Sequence, residues 1–152
     1  MAQRRHYEGT VVPESKTLTE IDQLLRRHKV NTVRWTTAVD MTRIEFSWAF
    51  EGQDLAYRID LNIPVKDQYG SSLSERGREQ ERRRLLRVLL NHIKAKLVAV
   101  EEELSEMERE FLPYLIVAGG ATFGDVAVLE MKQSIIEKRL PEVRLLPEKA
   151  VT

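Results

Sequence analysis

A chain of 152 residues, 42% hydrophobic and 32% charged, is long enough to bury a core and too apolar to be disordered. Its 24 Lys plus Arg balance 24 Asp plus Glu, which excludes a protein that coats nucleic acid with its whole surface and leaves only local patches. The absence of cysteine excludes disulfides and thiolate metal sites, and no apolar run approaches the roughly 20 residues of a bilayer span.

Residues 1–9 are polar and expected to fray, and Met1–His6 carries no apolar signal-peptide core. A reducing cytoplasm is the expected setting. Gly9 to Val12 reads as a short strand ended by Pro13. Thr17-Leu18-Thr19-Glu20 has the capping-box pattern, and Leu18, Ile21, Leu24 and Leu25 share a face, so a helix is predicted over Leu18–Lys29.

From Val33 the period becomes two. Val33, Trp35, Thr37 and Val39 form one alternating set, and Ile44, Phe46, Trp48 and Phe50 a second. After the Glu51–Asp54 turn, Leu55, Tyr57, Ile59, Leu61 and Ile63 form a third. This predicts a meander of half-buried strands with an apolar face and a polar face carrying Arg34, Arg43 and Arg58. Phe46, Trp48, Tyr57 and Ile59 are expected beneath helices.

The run from Ser74 to about Leu115 reads as one long helix, with a seam at Leu86, Leu90, Ile93, Leu97, Val100, Leu104, Met107, Phe111 and Tyr114. Unbroken, it would span roughly 55–60 Å at 1.5 Å per residue, more than one domain can cover. Its first half carries Arg76, Arg78, Arg82, Arg83, Arg84, Arg87, Lys94 and Lys96. Its second carries Glu101, Glu102, Glu103, Glu106, Glu108 and Glu110. The helix dipole favours the opposite order, so something outside the helix is expected to use these charges. Pro113 should end or kink it. Thr122 and Asp125 predict a capped helix to about Arg139, stopped by Pro141, with an irregular tail after it. The whole is expected to be a single α+β domain over 1–152, flexible at 1–9 and 141–152. It is a three- to four-stranded antiparallel meander covered on one face by helices, one of them long.

The segment Leu86–Leu112 resembles a group of small uncharacterised proteins encoded in phages and prophages, through Ile93-Lys94-Ala95-Lys96-Leu97, Ala99-Val100-Glu101 and Glu110-Phe111-Leu112. Glu20–Leu25 and Gly120-Ala121-Thr122 fit the same layout, and the resemblance covers roughly residues 10 to 140. The chain departs from the group at Tyr69–Ser72, where a Pro-Ser-Gly type loop is common, and at Gly119-Gly120, where an Asp-Gly turn is. The resemblance implies a role near replication or recombination and supplies no catalytic residues.

No phosphate loop, dinucleotide fingerprint or nucleophile elbow is present, so no catalytic residue, cofactor or metal is expected. His6, His28 and His92 have no paired metal spacing. The Glu101–Glu110 cluster is more simply a solvated or partner-pairing face than a Mg²⁺ site. Two functions remain. In the first, Arg76, Arg78, Arg82, Arg83, Arg84 and Arg87, extended by Arg34, Arg43 and Arg58, bind nucleic acid, with single-stranded DNA favoured. The aromatics alternate onto the core side, which leaves Tyr69 and Tyr7 as stacking candidates. In the second, the chain is a homo-oligomeric structural or regulatory module, self-associating through Leu97, Val100, Leu104, Met107 and Phe111. The same seam could instead dock the last helix through Phe123, Val126, Leu129 and Ile136.

Overall fold

In the computed structural model, which describes residues 3–143, the elements follow the α+β order. They are α1 (Glu14–Arg27), β1 (Val30–Ala38), β2 (Met41–Phe50), β3 (Gln53–Asn62), α2 (Glu75–Glu101), α3 (Met107–Phe111) and α4 (Phe123–Ile136), with a 3-10 turn at Leu112–Tyr114.

The meander forms as the alternation predicts, with strand order β1-β2-β3 and both pairs antiparallel. Glu51 and Gly52 both take positive φ between Phe50 and Gln53, the backbone a two-residue hairpin loop needs to follow the strand twist. The register sets Phe46 between Val33 and Tyr57, and Ile44 between Trp35 and Ile59, all on one face. Phe46, Tyr57 and Ile59 are buried and Trp48 is half-buried. Ile21 and Leu25 of α1 join them, with Leu86, Leu89, Leu90, Ile93 and Leu97 of α2.

Three local expectations change. Gly9–Val12 is not a strand. Residues 5–10 instead lie as a strap on α2: Arg5 pairs with Glu81 at 2.8 Å, the Arg84 guanidinium donates to the His6 carbonyl and the Gln80 amide to the Thr10 carbonyl. The Asn91 amide and the Tyr7 hydroxyl complete the strap. Secondly, α1 begins at Glu14 after Pro13, four residues early. Thr17 lies inside the helix, fully buried, rather than at its cap. Pro13 holds the N-cap position with extended backbone and no side-chain cap, and its carbonyl accepts from the Thr17 amide to start the helix.

The third change is the largest. The long helix stops at Glu101. Glu103 takes a left-handed φ of 58°, the Leu104 amide donates to the Ala99 carbonyl and the Glu103 amide to that of Val100. This is a Schellman ending with glutamate where glycine is usual. The chain reverses, Leu104 is 83% exposed, and α3 folds back so that Met107 and Phe111 enter the core. Phe111 stands edge-on to Phe46 and Tyr57, with ring centroids 5.6 and 6.4 Å away. The predicted seam of Leu97, Val100, Leu104, Met107 and Phe111 is therefore not a continuous interface. Leu97, Met107 and Phe111 pack inside their own chain.

After the 3-10 turn, Leu115 bridges to Tyr57 and the Ile116 amide donates to Ala56, which adds a short fourth rung to the β3 edge. The predicted Thr122–Asp125 capping box then opens α4. This helix ends at Ile136, short of Arg139, because Lys138 takes a left-handed φ of 53°. Gly124 lets α4 lie against the turn: a Cβ there would be 2.7 Å from the Pro113 carbonyl oxygen. Gly124→Ala is expected to destabilise by about 1–3 kcal/mol through overpacking, more than its helix-propensity gain of about 1 kcal/mol returns. Faster hydrogen exchange confined to α4 would check this.

Candidate functional site

The arginines of the expected phosphate patch are brought near one another but are largely engaged within the chain. Arg82 reaches from α2 to the β1–β2 turn, donating to the carbonyls of Ala38 and Val39 and to the Thr42 hydroxyl. Arg84 pairs with buried Glu81 at 3.0 Å, and Arg87 with Glu20 at 3.0 Å across α1. Arg78 holds the Leu73 carbonyl and Arg83 the Gln80 side chain. Arg76 is exposed and has no hydrogen bond or ion pair among the described residues.

The polar sheet face is similar. Arg34 grips Glu45 through one Nη2, at 2.9 and 3.0 Å, and Arg43 grips Asp60 bidentately. Arg58 lies 3.9 Å from Asp60, and its Nε is buried with no hydrogen-bond partner. In the acidic half of the expected helix, two of the six glutamates are engaged. Glu101 meets His28 Nε2 at 2.7 Å, while His28 Nδ1 donates to the Leu24 carbonyl; Glu110 meets Lys96 at 3.5 Å. The basic side of the charge order is thus used largely inside the molecule, by α1, the strap and the sheet.

No described cluster of three or more His, Asp or Glu side chains could hold a metal ion, and no described helix is long and apolar enough to cross a membrane. His92 donates to or accepts from the Tyr114 hydroxyl at 2.8 Å. Burial, then nearby Lys96, holds its pKa below the ordinary imidazole value, so the ring is neutral at pH 7.

The surface that stands out is α4. Leu129 is 67% exposed, Ile135 69% and Ile136 74%, with Val126, Val128 and Met131 also open. The seam does not cover them: the alternative docking of the last helix through Phe123, Val126, Leu129 and Ile136 leaves the last three of these exposed. A helix apolar around most of its girth is normally buried. Leu140 and Val143, just past the helix, are exposed as well. Between α4, the 3-10 turn and β3 runs an open groove of about 650 Å³, lined on the α4 side by Asp125, Val128, Leu129 and Lys132 and opposite by Arg58 and Tyr114. Periodicity alone reads this helix as core, because α4 has too few polar positions for a helix with a solvent side.

The chain matches no protein-family model, no curated protein and no solved structure.

Proposed function

We propose that this chain acts by binding rather than by catalysis, as a protein-interaction module whose contact surface is α4. The observation that carries this reading is the exposure of six apolar side chains on one 14-residue helix. Changing Leu129 and Ile136 together to Glu tests it. Solvent-exposed positions tolerate such changes within about 0.5 kcal/mol, so the unfolding midpoint should stay while α4-dependent association is lost. A clear drop in stability that persists unchanged at low protein concentration would mean that the chain covers α4 itself, and would reject the reading, whereas a drop that fades on dilution is the loss of a partner.

A second reading, contact with single-stranded nucleic acid in phage replication or recombination, draws support from one loop. Tyr69 is 81% exposed. Its loop is braced by Asp67, whose Oδ1 accepts from the Tyr69 and Ser71 amides at 2.8 and 2.9 Å. Lys66 and Arg5 line the same recess. A rigid aromatic beside cations is the minimal form of a base-stacking platform. A salt titration with single-stranded oligonucleotides, comparing wild type with the triple variant Tyr69→Ala, Arg76→Ala, Arg83→Ala, checks it. Phosphate contacts should give a log–log slope near −0.7 per phosphate neutralised, reduced in the variant. Equal affinity for both proteins would reject it. Arg82 and Arg84 are unsuited to this test because they hold the fold together.

A further inference from the structure

We infer that the occupant of the α4 surface is a second copy of this chain, with the two α4 helices antiparallel across a two-fold axis between Val128 and Leu129; this rests on the reading of α4 as the contact surface. The groove-facing side of α4 carries two charges, Asp125 and Lys132, with Val128 and Leu129 midway between them. Seven residues separate the charges, so they stand two turns apart on one line. An axis midway between Val128 and Leu129 sets Asp125 of each copy opposite Lys132 of the other, twice over. Parallel alignment would set Asp125 on Asp125 and Lys132 on Lys132, which is repulsive at both ends. The charge pattern therefore selects the antiparallel arrangement, and a two-fold pair is the commonest closed assembly.

The apolar residues on that side agree. Leu129 and Ile136, seven residues apart and so on one line, are both exposed beside Asp125 and Lys132. The groove beside α4, about 650 Å³, has room for side chains of the other copy, so contact would extend past the helices to Arg58 and Tyr114.

Sedimentation velocity of the full chain should give a dimer at tens of micromolar. Lys132→Glu faces Asp125 of the other copy with a like charge and should raise the dissociation constant about tenfold or more. Mixing it with an Asp125→Lys chain should restore a heterodimer. Asp125 also caps α4, so a second probe is needed in case that variant misfolds. The chain has no cysteine, which makes Val128→Cys a clean one: oxidation should yield a disulfide-linked dimer, while Val11→Cys, far more exposed, should not. A dimer that ignores Lys132→Glu and leaves Val128→Cys unlinked would overturn the inference. So would a monomer. In that case maleimide labelling of Val128→Cys separates the two failures. Rapid labelling leaves α4 open for a different protein, whereas blocked labelling means that the chain covers α4 and rejects the interaction-surface reading as well.

Discussion

Changing Phe111 to alanine is expected to cost about 3–5 kcal/mol of folding stability, the range for removing a fully buried aromatic ring. Phe111 has no exposed surface and closes an aromatic group with Phe46 and Tyr57, whose rings are stacked 5.4 Å apart. Edge-to-face contacts of this kind add roughly 0.5–1.5 kcal/mol beyond area burial. The loss also releases α3, a single turn that Met107 and Phe111 hold down. A urea titration at several protein concentrations is the measurement. The shift should be independent of concentration. If the long helix were continuous and Phe111 lay in an intermolecular seam, monomer stability would barely change and only association would fall.

Glu81→Ala should be the next most damaging change, at about 3 kcal/mol, the lower edge of the range for breaking a buried ion pair. The Glu81 side chain is 9% exposed and serves two cations, Arg5 at 2.8 Å and Arg84 at 3.0 Å. Removing it leaves the Arg84 guanidinium, itself only 14% exposed, facing its own helix without a counter-charge. Arg5→Ala is the control. Arg5 is half-exposed, and an exposed partner is worth about 0–1 kcal/mol, so that variant should loosen the strap and leave the unfolding midpoint nearly in place. Equal losses for the two variants would mean that the strap, not the buried charge, carries the stability.

Much of this fold was legible in the residues. Strict alternation through Ile44–Phe50 and Leu55–Ile63 specified the strands, because a one-residue slip would turn every aromatic outward. The Thr122–Asp125 pair marked the start of α4 through local chemistry, whereas Pro113, expected to end the long helix, lies twelve residues past its actual end. The turn at Glu103 was not legible: the heptad spacing runs on through Leu104, and no glycine announces the left-handed residue. What decides it is tertiary. The reversal buries Met107 and Phe111, which offsets the strain of one non-glycine residue at positive φ.

The site was less legible, for a related reason. Arginine count along α2 suggested free phosphate ligands, but whether an arginine is free depends on what the rest of the chain sets beside it. Arg82 and Arg87 find their acceptors 40 and 67 residues away in sequence. The α4 surface showed the opposite bias. Its apolar residues read as core, and only the geometry places them outside it.

The strap has a consequence for the order of assembly. During synthesis β1, β2 and β3 pair through short turns and can form as soon as they leave the ribosome, because closing a short loop costs little entropy. The strap cannot. Gln80, Glu81, Arg84 and Asn91, which hold it, are made 70 to 84 residues after it, so it waits until α2 emerges. The strap is thus made before the sheet and fixed after it. The apolar faces of α1 and the sheet lack their α2 cover through that interval, when a nascent chain is most exposed to aggregation.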